Sequence, residues 1–437
     1  MAHPPDMPMA HSPDMHQTMT TTQMEEGAMI MSPSGMVMGR GAEDWATRPG
    51  PMLMPIRTMI PGTWSQPGTW MLMGNVSAIV TNPGFGQARD SEFGKTHPYL
   101  LNDWVMVRGR TGNGYLEGML MLNFEALTFS RAGWVEVGQA GEGLYDRQHQ
   151  HQLIHQALVA VHPLGDSTGP FQLTLWGGQG SATIGPPIFM HRASNPSPTV
   201  PRKHHKGENP HETFPVLGVT VAYGGLTLDL SAFYAAELGR DDSRLYPRVG
   251  APNSFAGRLR YTLAQNLEAQ VSAERLVDQG DEGDAIQVSS SVYGRYVGRV
   301  VVDALLDGAV DIPTAGHGGE GKHPRAAAGL LEVAVRDRSL RDTGWMRAEV
   351  NQRIEPDGQR SSPWFFGSLG YERQVWVDAS SIFGVGPFAE ATLVVVPAAL
   401  EDTYGARVGV TTTVGLQGHL MLMPGHQGGG MQGHAGH

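Results

Sequence analysis

The chain has 437 residues, a net charge of −11, 17% charged residues, 58 glycines and no cysteine. The lack of cysteine removes disulfides, thiolate metal sites and cysteine nucleophiles, and the acidic balance argues against a general nucleic-acid binder, which needs a basic surface to displace counterions. No run of about 18 apolar residues marks a transmembrane helix; the mean hydropathy of −0.23 looks soluble but does not exclude a membrane β-barrel, whose alternating polar and apolar positions average to such a value.

Residues 1–62 form the first segment. They are rich in Met, Pro, His, Thr and Ser and show no sustained period, the pattern of a disordered segment. Of the 23 methionines, 13 lie between Met1 and Met59. Runs such as Asp6-Met7-Pro8-Met9-Ala10-His11 space Met and His with little else. A disordered chain of this kind can wrap a Cu(I) ion with thioethers without a preformed site; the plainer reading is a low-complexity leader. The opening Met-Ala-His-Pro-Pro-Asp has no basic and apolar export signature. An exported chain therefore requires a precursor segment that is removed or lies upstream.

From about residue 63 to 423 the pattern is period two. In Thr69–Val80, Trp70, Leu72, Val76, Ala78 and Val80 share one parity, and Met71, Met73, Asn75 and Ser77 share the other. In Trp104–Arg110, Met106 has the parity of Arg108 and Arg110. A turn is expected at Thr111-Gly112-Asn113-Gly114. Beyond it Leu116, Leu120, Leu122 and Phe124 oppose Glu117, Met119, Met121 and Asn123.

Three stretches then concentrate His and Arg. They are Asp146–His151 with His155, Gly185–Arg192 with Met190 and His191, and His204-His205 with His211. His149, His151 and His155 share the parity of a strand, while His151 and His155 would also share a helix face. The last two stretches fall in a long connection, 179–214, of the kind that folds into the mouth or lumen of a barrel. Two readings stay open for these histidines: a copper or zinc site beside Met190, or a hydrogen-bonded plug fixed by Asp146, Arg147 and Arg192.

Further on, hairpins are expected at Gly224-Gly225 and at Ala264-Gln265-Asn266. Strands are expected over 171–178, 285–293, 298–306, 326–336, 343–352, 363–372, 387–396 and 404–423. The polar parity carries both signs of charge, as in Arg258, Arg260, Glu268, Glu274, Glu332, Arg336, Arg347 and Glu349. In the last strand Val408, Val410, Val414, Leu416, Leu420 and Leu422 oppose Arg407, Thr411, Thr413, Gln417, His419, Met421 and Met423. A tail, 424–437, returns to Gly, His and Met.

These elements predict an all-β fold: an antiparallel transmembrane β-barrel of roughly 14–16 strands, apolar side to lipid and charged side to the lumen. A soluble sandwich with its apolar face inward has the same periodicity; strand count and length favour the membrane barrel. First and last strands meet where a barrel closes. The methionines of the first three strands and the last therefore predict a thioether strip along the closing seam. Thioethers are soft, neutral ligands that favour Cu(I) and Ag(I); the alternative is ordinary flexible packing by Met. Enzyme signatures are absent: there is no Gly-x-Ser-x-Gly elbow, His-Glu-x-x-His, P-loop or dinucleotide fingerprint.

The chain also resembles a Gram-negative outer-membrane-type β-barrel family. That family carries Asp-Arg-Gln-His-Pro-His-Asp, then Gly-Pro-Pro-Ala-Phe-Met-His-Arg, then a His-His pair and a later His-x-Thr. The match falls on Asp146–His149 and His151, on Gly185–Pro187 and Phe189–Arg192, and on His204, His205, His211 and Thr213. It departs at Gln150 and Gln152, where the family has Pro and Asp, which removes a carboxylate partner. The resemblance spans residues 100–275 and implies an outer-membrane-type barrel without assigning an activity. Separately, the Met/His-rich leader is similar in style to copper-resistance outer-membrane proteins of the CopB type.

The expected function is an outer-membrane barrel that binds or passes copper-like ions. Its candidate ligands are Met71, Met73, Met119, Met121, His419, Met421 and Met423 in the lumen, and His149, His151, His155, Met190, His191, His204, His205 and His211 in the loop site. Outer-membrane lipid, metal ions and a periplasmic metal chaperone or efflux partner are the expected partners. The competing expectations are a general-diffusion or structural channel with no metal role and a soluble periplasmic metal-sequestering β-protein.

Overall fold

Period-two alternation dictates one apolar and one polar face per strand, and two such faces are both accommodated when the sheet closes on itself. The computed structural model describes residues 30–32, 35–37, 70–86, 88, 94–128, 134–135, 147–148, 152–164, 171–186, 213–235, 245, 249–264, 267–277, 284–297, 299–314, 325–337, 341–354, 361–377 and 383–422. Sixteen antiparallel strands form a closed barrel. They are β1 (Trp70–Asn82), β2 (His97–Arg110), β3 (Leu116–Asn123), β4 (Ile154–Val161), β5 (Phe171–Gly180), β6 (Thr213–Tyr223), β7 (Leu226–Phe233) and β8 (Ser254–Ala264). The second half comprises β9 (Leu267–Leu276), β10 (Ala285–Val297), β11 (Val300–Pro313), β12 (Ala326–Asp337), β13 (Asp342–Ile354), β14 (Ser361–Arg373), β15 (Phe383–Val395) and β16 (Val408–Leu422). Each strand pairs with its sequence neighbour, and β16 pairs with β1 from Thr412↔Asn82 to Leu422↔Leu72. Closure removes both sheet edges, which would otherwise expose unpaired backbone groups. A two-residue piece, Trp376–Val377, extends the β14 side against β15.

Local sequence sets the turns. Gly224 takes φ +56 between β6 and β7, a conformation that glycine adopts without steric cost. Between β2 and β3 the Asn113 side-chain oxygen accepts from Thr111 Oγ1 at 2.6 Å and from the Tyr115 backbone N–H at 3.2 Å. These short links and the chain ends at Trp70 and Leu422 share one end of the barrel; the connections 83–96, 124–153, 181–212, 234–253 and 396–407 share the other.

The faces sort as the alternation requires. Leu226, Leu228, Leu267 and Val271 point outward and are exposed, as are Leu306, Leu369, Val410 and Leu416. Arg258, Arg260, Glu274, Asp303, Glu332, Arg336, Arg347 and Glu349 point inward and are buried. At the short-turn end the exposed aromatics among the described residues are Trp70, Tyr115, Phe171, Tyr223, Tyr261, Tyr296, Tyr371, Trp376 and Phe383; Phe214, Phe255 and Phe365 lie toward the other.

Several boundaries differ from the periodicity. The last strand begins at Val408 rather than 404, because Ala398–Leu400 and Glu401–Tyr404 form helical turns. There Tyr404 packs edge-on to Phe85 and Trp364, a contact with long-range partners that alternation does not encode. Strand β4 starts at Ile154, and its pairing skips His155, since Met121 faces Gln156 and Leu122 faces Ile154. His155 is thus an extra residue in a β-bulge; His149 and His151, expected to share its parity, lie outside the described residues. Within 1–69 the described residues are a small ribbon, Ile30–Ser32 with Gly35–Val37. The rest of the expected disordered leader and the whole 424–437 tail lie outside the described residues.

Candidate functional site on the inner wall

The seam of the barrel brings four methionines into one register row. Met421 on β16 pairs with Met73 on β1, Met73 with Met106 on β2, and Met106 with Met121 on β3. Arg108 has Met71 and Met119 as its register partners on the two neighbouring strands. The row lies toward the end where the chain enters at Trp70 and leaves at Leu422. Met73, Met106, Met119 and Met121 are all buried and belong to an apolar cluster with Trp104, Leu158, Trp176, Val216 and Phe233. Their direction is the one the alternation predicts. Their surroundings are different: these thioethers stand in a packed inner layer and do not line an open aqueous passage.

Part of that layer comes from the segment following β5. Ala182 and Ile184 join the cluster. Thr183 donates its backbone N–H to Ser231 Oγ at 3.1 Å, Gly185 donates to Ser272 Oγ at 2.8 Å, and Arg258 Nη1 donates to the Gly185 carbonyl at 2.9 Å. Residues 181–186 therefore run across the inner faces of β7, β8 and β9. The long connection expected at 179–214 does begin by folding into the lumen.

Beside the methionine row, His419 on β16 is buried and its Nε2 lies 3.1 Å from Glu372 Oε1 on β14. Strand β15 lies between them, but it presents Gly384 opposite His419 and Gly386 opposite Gln417, so no side chain blocks the contact. Gln374 Nε2 donates to the same Glu372 oxygen. On the other flank Gln417 Nε2 donates to Asn75 Oδ1 at 3.2 Å. A second polar group sits where the row ends: Glu117 pairs with Arg108 and with His162 Nε2 at 3.1 Å, and His162 Nδ1 lies 3.2 Å from Thr174 Oγ1.

Across the barrel, β7–β13 carry paired charges. Asp229 accepts from Arg258 Nε at 3.2 Å and from Arg260 Nε at 3.0 Å. Asp303 accepts from Tyr293 at 2.5 Å, from Arg295 Nε at 2.6 Å and from Arg336 Nη1. Arg347 Nε lies 3.0 Å from Glu349 Oε1. Burying such groups is tolerable only when each charge meets an opposite one.

Of the sequence-derived candidates, Met73, Met119, Met121 and His419 are inward and buried on adjacent strands. Met71 and Met421 have Arg108 and Met73 as their register partners in the same zone of the ladder. His155 is buried at the β4 bulge. His149, His151, Met190, His191, His204, His205, His211 and Met423 lie outside the described residues, as do most of the motifs that carry the family resemblance. Arg147 and Gln148 pair with Trp134 and Val135 in a short ribbon. Among the described residues no three His, Asp or Glu side chains converge as a metal-holding group. Met106, Asn75 and Glu372 were not in the candidate set. Parity alone could have added Met106 and Asn75, whereas nothing in the sequence joins Glu372 to His419, 47 positions away.

No family model matches the sequence, and no curated protein sequence matches it. Solved structures do align. The outer membrane channel DcaP of Acinetobacter baumannii is 11% identical with a TM-score of 0.46, covering 82% of this chain and 99% of that one. A porin is 12% identical with a TM-score of 0.41, covering 80% and 100%. OmpT, an outer membrane protein of Vibrio cholerae, is 10% identical with a TM-score of 0.43, covering 82% and 99%. The chain is a closed, sixteen-stranded antiparallel β-barrel with an apolar exterior and a polar, charge-bearing inner wall.

Proposed function

We propose that this chain is an outer-membrane barrel that binds or passes soft, copper-like metal ions along the methionine-bearing arc of its inner wall. Membrane placement is supported by the outward Leu and Val side chains, which water would solvate poorly, and by the Trp and Tyr ring at the short-turn end, as at a membrane interface. Short turns face the periplasm in such barrels, so the Met/His-rich leader and tail join the barrel on that side. A periplasmic metal chaperone or efflux partner fits there. A soluble periplasmic protein would leave the same side chains in water; recovery in the soluble fraction without detergent would select it.

The observation that carries the metal reading is the row Met421–Met73–Met106–Met121 across four neighbouring strands. Neutral thioethers in a dry layer cannot compete for hard, hydrated cations, but they hold Cu(I) and Ag(I) through polarizable sulfur. Cu(I) titration against a competing chelator tests it. The reading fails if deleting residues 1–62 and replacing the row methionines by Leu leaves affinity and stoichiometry unchanged. A second reading, a general-diffusion channel, is favoured by the paired charges on β7–β13, which would set ion preference. Copper-independent conductance after reconstitution would select that one.

A further inference from the structure

We infer that the methionine row is anchored at one defined ion site, made by His419 Nδ1 and the Met73 thioether, with Glu372 as the positioning residue. The inference rests on the soft-ion reading above and deepens it by naming the site and its ligand class, a monovalent soft cation. His419 is buried, and its Nε2 sits against Glu372 Oε1 at 3.1 Å. Its Nδ1 is also buried and has no hydrogen-bond partner among the described residues. Leaving a buried ring nitrogen without a partner is costly in a finished protein interior. With Nε2–H donated to the carboxylate, the tautomer places the lone pair on Nδ1. A carboxylate holding one imidazole nitrogen while the other faces a metal is the arrangement that orients and strengthens histidine ligands.

Met73 supplies the second ligand. His419 pairs with Asn75, and Met73 is two residues along β1 on the same inward face. Such diagonal positions lie about 7–8 Å apart and are within reach of long side chains. Met421 is the register partner of Met73 on β16. One imidazole and one or two thioethers form a neutral, low-coordinate set suited to Cu(I) or Ag(I). The Glu372 carboxylate supplies the negative charge that a cation needs in a water-poor layer. The inward Gly384 leaves the space that lets the carboxylate reach the ring.

The test uses the full chain in detergent micelles, Ag(I) as the probe, and the methyl NMR signals of 13Cε-methionine, each strand methionine being assigned from its Leu variant. Ag(I) is expected to shift Met73, while Met346 on the outer face stays unmoved. H419Q is expected to remove the Met73 shift at silver concentrations that still move leader methionines. E372Q is expected to weaken it by roughly 10–100-fold, with E372D restoring part of the loss. A Met73 shift unaltered in both H419Q and E372Q overturns this site while leaving soft-ion binding by the row in place. No shift in any inner-wall methionine of the unmutated chain overturns both. Should H419Q fail to give a folded barrel by circular dichroism, the E372Q titration decides alone.

Discussion

The two arcs of the inner wall solve the same problem differently. From β7 to β13 the barrel buries charges and neutralises them in place, with Asp229 between Arg258 and Arg260, and Asp303 among Tyr293, Arg295 and Arg336. From β16 through β3 it buries neutral, polarizable side chains, and the fixed charges at its borders are Glu372 on one side and the Arg108–Glu117 pair on the other. In the first arc Asp229 and Asp303 are each held by two guanidiniums, while Glu274 Oε2 is buried with no hydrogen-bond partner among the described residues. At Asp229 or Asp303 an incoming cation would have to displace a guanidinium from its carboxylate. The second offers thioethers and the His419 Nδ1, the Nε2 of that ring being taken by Glu372. The comparison teaches that inward orientation alone does not make a site. What matters is whether an inward group is already satisfied by its neighbours.

The comparison can be broken or sharpened by substitution. The largest effect is expected in the charged arc. Asp303→Asn removes the carboxylate shared by Arg295 and Arg336, and losing one partner of a buried ion pair costs about 3–5 kcal/mol. Urea unfolding of the folded barrel in micelles measures it; a loss below about 1 kcal/mol would mean that this arc is wet and screened. Next is the outer face. Leu306, 60% exposed near the middle of β11, replaced by Arg should destabilise the barrel in lipid vesicles by about 2–4 kcal/mol. A soluble protein would absorb the same change within about 0.5 kcal/mol.

A smaller loss is expected at Gly370, where an added Cβ would clash with the Trp345 ring. That ring donates its Nε1–H to Glu390 at 2.7 Å and cannot shift freely. Gly370→Ala should cost about 1–3 kcal/mol by overpacking, read as a lower unfolding midpoint. The smallest stability change belongs to the seam. Met106→Leu conserves volume and should cost under about 1.5 kcal/mol, yet it removes a thioether from the row. Cu(I) affinity measured against a chelator should fall while the unfolding midpoint stays nearly fixed. A variant that loses stability but keeps affinity would mark the row as packing and nothing more.

Much of the architecture was legible because a strand has a period of two and a barrel has two chemically different sides. The parity of Leu226, Leu228 and Leu230 against Thr227 and Asp229 fixes which face each residue takes, whatever the neighbours are. The turns at Gly224-Gly225 and Thr111–Gly114 were legible for a similar reason, since glycine and Asx chemistry act locally. The parity of Met73, Met106, Met119 and Met121 was equally readable, and closure made their strands neighbours.

Other features depend on contacts between distant parts of the chain. The bulge at His155 comes from a register shift against β3 that no local pattern announces. The helical turns at 398–404 exist because Tyr404 finds Phe85 and Trp364. That segment 181–186 runs across the inner faces of β7, β8 and β9, with Ala182 and Ile184 joining the apolar cluster that holds the methionines, is equally a long-range outcome. The pairing of His419 with Glu372 requires β14, β15 and β16 in one register with glycine between. The sequence by itself determined which side of the sheet each residue faces, because alternation is a property of a single strand. Only the tertiary structure decided which inward groups meet, because register and closure bring together residues that lie far apart along the chain.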